Sequence, residues 1–118
     1  MKTNKVCTFL ERMERGKDYE KSVGEELKRL GLDFKTQVRY NTTQGNYLAD
    51  FVYSDIIIES TDSDLNKSRG IAFIDRKIKK LRELSEVHQV IIVTTSPKSW
   101  KEEVPNANCI TIDELNLI

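Results

Sequence analysis

The stretch YLADFVYSDIIIEST, residues 47–61, decides the fold. Its two apolar segments predict β-strands at residues 47–53 and 56–61, separated by a tight turn. Asp50 and Glu59 interrupt these segments, although a strand buried in a core usually carries hydrocarbon side chains at such positions. The stretch therefore predicts a β-hairpin that carries two carboxylates for a reason other than packing.

The turn sets the register of this hairpin. If Ser54 and Asp55 are its central residues, Asp50 lies directly opposite Glu59, with their Cβ atoms about 5 Å apart. Two like charges in that position are destabilising unless they share a proton or a cation. Carboxylate oxygens that converge on one point suit Mg²⁺ or Mn²⁺ rather than zinc. Strand alternation gives both acids one sheet face together with Leu48, Val52, Ile57 and Thr61.

The alternative is that both acids are solvated on an exposed edge hairpin. Residues 56–58 are three isoleucines, which is too apolar for an exposed ribbon. We therefore expect the hairpin to lie inside a sheet.

The rest of the chain predicts one α/β domain, residues 1–118, with a mixed central sheet flanked by helices. No linker, repeat or low-complexity segment divides the 118 residues. The predicted order is α-β-β-β-α-β-α-β. The other predicted elements are helices at 5–15 and 18–30, a strand at 33–41, a helix at 71–84, a strand at 89–95, a helix beginning at Pro97 and a strand at 108–113.

Composition excludes several classes of function. No apolar segment is long enough to cross a membrane and the first residues lack a signal-peptide core, so we expect a cytoplasmic protein without a membrane partner. The glycines form no phosphate-cradling loop, which argues against a nucleotide cofactor. Cys7 and Cys109 form no metal-binding pair. With His88 as the single histidine, serine or cysteine hydrolase chemistry is not expected.

The formal net charge is zero, but the charges are segregated along the chain. Residues 41–65 carry five acids and no base, whereas residues 66–82 carry seven bases and one acid. A basic helix of this kind predicts contacts with DNA phosphates, although a solvated helix surface is the ordinary alternative. No motif for reading base edges is present, so binding directed by nucleic-acid structure rather than sequence is expected. The predicted nucleic-acid-binding residues are Lys67, Arg69, Arg76, Lys79, Lys80 and Arg82.

A third acid, Glu20, lies beside the apolar stripe of the helix at 18–30, one turn before Gly24. Gly24 lacks a Cβ and leaves that helix face open for close approach. A helix with an inward Glu, then a β-meander with Asp followed by Glu, then a helix and a strand resembles the PD-(D/E)XK nuclease superfamily. Its restriction-endonuclease-like core includes Holliday-junction resolvases of about this size. The matching segments are GKDYEKSVGEELKRLG, YLADF and IIIEST, and the resemblance covers roughly residues 16–95.

The resemblance implies a nuclease that cleaves phosphodiester bonds in DNA, including branched DNA, and acts as a homodimer. It implies that Asp50, Glu59 and the backbone carbonyl of Ser60 bind Mg²⁺ or Mn²⁺. Glu20 would assist them. The metal would activate a water for attack on phosphorus and stabilise the charge that develops on the phosphate oxygens.

The chain departs from the superfamily pattern at two positions. Ala49 stands where the superfamily has proline, and Thr61 stands where it has a catalytic lysine. In one interpretation the cation has migrated, with Lys77 as the first candidate for the catalytic role and Lys67 as the second. In the other, catalysis is lost and the chain is an inactive module that binds nucleic acid or a protein partner. The sequence leaves both open, together with the form of the substrate.

Overall fold

A computed structural model describes residues 9–62, 64–65 and 70–117, with side chains from residue 16 to residue 116 of these ranges. The predicted order of helices and strands is confirmed. In chain order the elements are α1 (Phe9–Arg29), β1 (Phe34–Thr42), β2 (Gly45–Tyr53), β3 (Ile56–Thr61), α2 (Ala72–Val87), β4 (Gln89–Thr94), α3 (Pro97–Glu103), β5 (Asn108–Ile110) and a 3₁₀ helix (Ile112–Leu117).

The boundaries differ from the predictions mainly at the ends of the domain. The two helices predicted at 5–15 and 18–30 form one continuous helix, α1, which continues to Arg29 and is followed by Gly31 at φ +76°. Residues 5–8 lie outside the described part of the chain. At the other end, β5 stops at Ile110 and the chain turns into the 3₁₀ helix. None of the helices among the described residues is long and apolar enough to cross a membrane.

The sheet is mixed, as predicted, with five strands in the order β1-β2-β3-β4-β5. Strands β1 to β3 form an antiparallel meander, and β4 and β5 then pair in parallel with their neighbours. One face packs against α1 and the 3₁₀ helix, the other against α2 and α3. Residues 90–93 of β4 are all buried, as expected of a strand covered on both faces. The α/β class is therefore confirmed.

The hairpin β2–β3 has the predicted turn. Ser54 and Asp55 form it, Ser54 with φ 55°, and Tyr53 pairs with Ile56. From this turn the pairing of β2 with β3 continues for two more residue pairs and ends at Phe51 and Ile58. The predicted direct pairing of Asp50 with Glu59 is therefore wrong. The two strands diverge at that level, and the space between them is bridged by side-chain contacts instead.

The β1–β2 ribbon reverses its faces at the level of Asp50. Regular alternation places residues three apart on opposite faces, yet Ala49 and Val52 pack in the same buried cluster. The reversal coincides with Gln37 of β1, which has φ 54°, a left-handed value that turns the chain out of the regular pleat. Its neighbours in β1 pair regularly with residues on either side of Asp50. The prediction that Leu48 shares a face with Val52 is wrong for this reason, and Leu48 is 46% exposed.

Gly24 sets the distance between α1 and the sheet. It is buried, and a Cβ added there would lie 3.2 Å from Cε1 of Phe51. This contact is tighter than most side chains tolerate, so the absent side chain allows α1 to pack directly on β2. The close approach brings Glu20, one turn earlier in α1, to the level of Asp50 on the sheet.

Candidate functional site

Glu59 is a carboxylate buried within the sheet, with 2% of its surface exposed. The hydroxyl of Tyr47 on β2 donates a hydrogen bond to Oε1, and Nζ of Lys77 on α2 lies 2.7 Å from Oε2. Burial, followed by the charge of Glu59, raises the pKa of Tyr47 well above its usual value, so the hydroxyl keeps its proton. Both oxygens of a costly buried charge are thus matched by donors.

Asp50 lies just beyond the last paired residues of β2 and β3. Its carboxylate accepts a hydrogen bond from a backbone amide of β3 that would donate to a backbone carbonyl in a regular sheet. The amide and the hydroxyl of Ser60 donate to Oδ2 at 2.9 and 2.8 Å. Burial and the charge of Glu59 nevertheless raise the pKa of Asp50 from 3.8 to about 7, with a smaller contribution from Glu20. Asp50 therefore takes up a proton near neutral pH in the absence of a cation.

Glu20 joins the cluster from α1. Its Oε2 accepts a hydrogen bond of 3.2 Å from Nε2 of Gln37, the residue at the face reversal of β1. Partial burial and the charge of Glu59 raise the pKa of Glu20, while Lys77 and a hydrogen bond with Asp50 act in the opposite direction. The structure therefore brings together Glu20, Asp50 and Glu59, although three different elements carry them.

Lys77 is the cation of this cluster. Burial alone would lower its pKa, but the negative charges of Glu59, Asp50 and Glu20 outweigh that effect and raise it. Its side chain is 29% exposed, so it lies at the edge of the cluster rather than inside the core. Lys77 thus pairs with Glu59 and is influenced by Asp50 and Glu20, so the site holds an excess of acidic over basic groups.

This excess defines what the site can accept. The donors are carboxylate oxygens, which are the ligands that Mg²⁺ and Mn²⁺ prefer. Within the described residues, no group of three or more histidine, cysteine, aspartate or glutamate side chains is already arranged to hold a metal ion. Both Glu59 oxygens instead meet Lys77 and Tyr47. The residues therefore fit a hard divalent ion by charge and donor type, and binding it requires Glu59 to release or share a contact.

Two residues of this site were absent from the sequence-based predictions. The sequence predicts Tyr47 only as a strand residue. A buried tyrosine usually needs a hydrogen-bond partner, and this need is a signal that points to a polar contact at Tyr47. Gln37 gave no signal, since a left-handed conformation is uncommon for glutamine. Thr61, at the position of the missing lysine, is buried and pairs with Thr94 of β4.

Two of the predicted nucleic-acid-binding residues contact the protein itself. Nη2 of Arg82 lies 2.9 Å from Oε1 of Glu103 and so links α2 to α3. Nζ of Lys80 donates to the carbonyl oxygen of Asn46 at 2.8 Å, which ties α2 to the turn between β1 and β2. Both side chains have a structural role that the charge pattern did not predict.

The structure describes two of the other four predicted nucleic-acid-binding residues. Arg76 and Lys79 of α2 are exposed. Lys67 and Arg69 lie outside the described residues. Lys67 is also the second candidate for the catalytic cation.

Trp100, His88 and Cys109 lie in packed positions outside this cluster. Trp100 is fully buried, and His88 at the end of α2 meets the ring of Tyr40 edge-on, with centroids 5.2 Å apart. The thiol of Cys109 is half-buried, and burial raises its pKa to about 11, so it is a poor nucleophile. Cys7 lies outside the described residues.

The raised pKa of Asp50 gives a pH prediction for the metal-free protein. Between about pH 4 and pH 7 the folded chain holds a proton that the unfolded chain has released, so this group destabilises the fold as pH rises. Asp50→Asn removes the effect, which is at most about 1.4 kcal/mol per pH unit. We expect the free energy of unfolding of Asp50→Asn, relative to the unmodified protein, to increase from pH 5 to pH 7 in urea titrations with EDTA.

The control for this measurement is Asp55→Asn, which changes an exposed carboxylate in the β2–β3 turn. Its stability relative to the unmodified protein should stay constant over the same pH range. An equally flat difference for Asp50→Asn would show that Asp50 titrates as an ordinary exposed acid.

Comparisons with known proteins give no family assignment: neither protein-family models, nor curated proteins, nor solved structures yield a match to this chain.

Proposed function

We propose that this protein is a Mg²⁺- or Mn²⁺-dependent nuclease with a restriction-endonuclease-like core that cleaves DNA. The observation that carries the proposal is the meeting of Glu20, Asp50, Glu59 and Lys77, which come from α1, β2, β3 and α2. A fold does not need three partly or fully buried carboxylates beside one lysine for its stability. Such clusters of perturbed acids occur preferentially at functional sites.

The order of elements also supports the proposal. A helix with an inward glutamate, an antiparallel meander with both other acids, and a helix leading into a parallel strand are the features on which the resemblance to PD-(D/E)XK nucleases rests. Asp50 and Glu59 lie just beyond the last paired residues of β2 and β3, and the charge of Glu59 acts on Asp50. The proposed working form is a cytoplasmic homodimer acting on linear or branched DNA.

Each residue has a role in this proposal. Asp50, Glu59 and the carbonyl of Ser60 would hold the ion, which supplies a water of lowered pKa and stabilises charge on the phosphate. Glu20, oriented by the amide of Gln37, would accept a hydrogen bond from the attacking water. Lys77 stays protonated because its pKa is raised, so it would provide the positive charge that Thr61 cannot.

The second candidate is an inactive module that binds nucleic acid or a protein. The observation that favours it is the complete engagement of Glu59 by Lys77 and Tyr47. A carboxylate satisfied in this way can be a purely structural remnant of a metal site. The two candidates differ in whether the unmodified chain cleaves any DNA.

Removal of either proposed metal ligand should abolish cleavage. We expect Asp50→Asn and Glu59→Gln to lower the cleavage rate by about 10³-fold or more, because transition-state charge is no longer offset, while DNA binding persists. Labelled linear and branched DNA, incubated with Mg²⁺ or Mn²⁺ and separated on denaturing gels, provides the measurement. Asp55→Asn is the control and should cleave normally. If the unmodified chain cleaves nothing with either ion, the inactive module is the correct candidate.

Replacement of Lys77 tests the migrated cation. Lys77→Met should lower the cleavage rate by about 10²-fold, since a charge aimed at the reacting phosphate is lost. Lys79→Met is the matched control, because it removes the same charge from an exposed position of the same helix. Gel assays at a temperature where both variants are folded make the comparison. Equal rates for Lys77→Met and the unmodified protein would exclude Lys77 from catalysis.

A further inference from the structure

A groove of about 550 Å³ runs between α1 and β1, the edge strand of the sheet, and the function proposed above uses only the Glu20 end of it. One of its sides is lined by Lys17, Lys21 and Lys28. These lysines are four and seven residues apart and so lie on one face of α1, spanning about 16 Å along the helix axis. All three are exposed and lie along one edge of the groove, with Glu25 between Lys21 and Lys28 on the helix.

The floor of the groove is aromatic. Phe34 and Phe51 line it, with ring centroids 5.3 Å apart and an interplanar angle of 85°. Phe51 is buried beneath Gly24, whereas Phe34 is only partly buried and is the ring that a ligand can reach. The volume is within the range of about 300–1,000 Å³ typical of binding sites.

The groove ends at the carboxylate cluster. Glu20 and Gln37, which are hydrogen-bonded to each other, both line it. Glu25 is the other acid in the lining, so three lysines face two glutamates, one of which belongs to the proposed catalytic site. A negatively charged chain that follows the lysines would pass directly beside Glu20.

We propose that this groove binds an unpaired DNA strand, so that the substrate of the proposed nuclease is single-stranded DNA or an unpaired segment within DNA. The inference rests on the proposed function for its choice of ligand. Aromatic side chains combined with a basic edge are typical of single-strand binding, because bases stack on the rings while lysines follow the phosphates. A paired base has both faces covered by its neighbours, so a duplex cannot use the aromatic floor.

Binding to a fluorescein-labelled 12-nucleotide oligothymidylate tests this inference, measured by anisotropy in EDTA over a range of salt concentrations. The double variant Lys21→Gln/Lys28→Gln should bind about tenfold more weakly at low salt. Its slope of log Kd against log salt should decrease by about 1.4, which corresponds to two lost phosphate contacts on a single strand. Phe34→Leu, which keeps an apolar side chain but removes the ring, should also lose about tenfold in affinity.

The matched control is Lys35→Gln/Lys98→Gln, which removes the same charge from exposed positions that do not line the groove. It should change the affinity by less than about twofold. Equal losses in the groove and control variants would overturn the inference, because binding would then depend on net charge alone. The same holds if a blunt duplex binds as tightly as the oligothymidylate, or if neither DNA binds.

Cleavage of the same oligothymidylate with Mg²⁺ separates this inference from the proposed function. Groove-dependent binding without cleavage of any DNA rejects the nuclease and leaves the groove assignment in place. Cleavage that the groove variants retain, with unchanged affinity, rejects the groove and leaves the nuclease.

Discussion

The organisation of this protein depends on one buried charge, that of Glu59. An ion transferred from water into a protein interior costs several kcal/mol, and the cost is recovered only where donors meet it. Here the hydroxyl of Tyr47 and the ammonium of Lys77 each meet one oxygen. Because these donors come from β2 and α2, the buried charge of Glu59 fixes where α2 lies on the sheet. Burial, together with this charge, raises the pKa of Asp50 to about 7.

Residues on one side of α2 hold this helix against the sheet. Lys77, Lys80 and Glu83 follow one another at intervals of three residues, and all contact the strands of the meander or the turn between them. Lys77 reaches Glu59, Lys80 donates to the carbonyl of Asn46 at 2.8 Å, and Glu83 accepts a 2.9 Å hydrogen bond from the amide of Thr43. The helix thus holds β3 through Lys77 and the turn end of the β1–β2 ribbon through Lys80 and Glu83. The basic character of α2 is therefore partly structural, since Lys77, Lys80 and Arg82 all contact the protein itself.

The sequence predicted the order of elements and the β2–β3 turn because both follow from local patterns of apolar residues and turn chemistry. Within the site it predicted which residues to examine, and the structure brings Glu20, Asp50, Glu59 and Lys77 together. It did not predict the reversal of faces at Asp50, since this coincides with the left-handed conformation of Gln37, which no local pattern favours. Nor did it predict which bases of α2 contact protein, because those contacts are made with residues distant along the chain. The catalytic roles of Glu20, Asp50, Glu59 and Lys77 remain predictions.

The most direct test of the central claim is a titration of the protein with Mn²⁺, followed by the loss of the electron paramagnetic resonance signal of the free ion. The claim is that an excess of carboxylate charge over Lys77 creates a site for one divalent ion. It predicts that each chain binds one Mn²⁺ at neutral pH, that Asp50→Asn loses this binding, and that Asp55→Asn keeps it. Equal binding by Asp50→Asn and the unmodified protein, or no binding by either, would contradict the claim and leave Glu59 and Lys77 as an ion pair of the core.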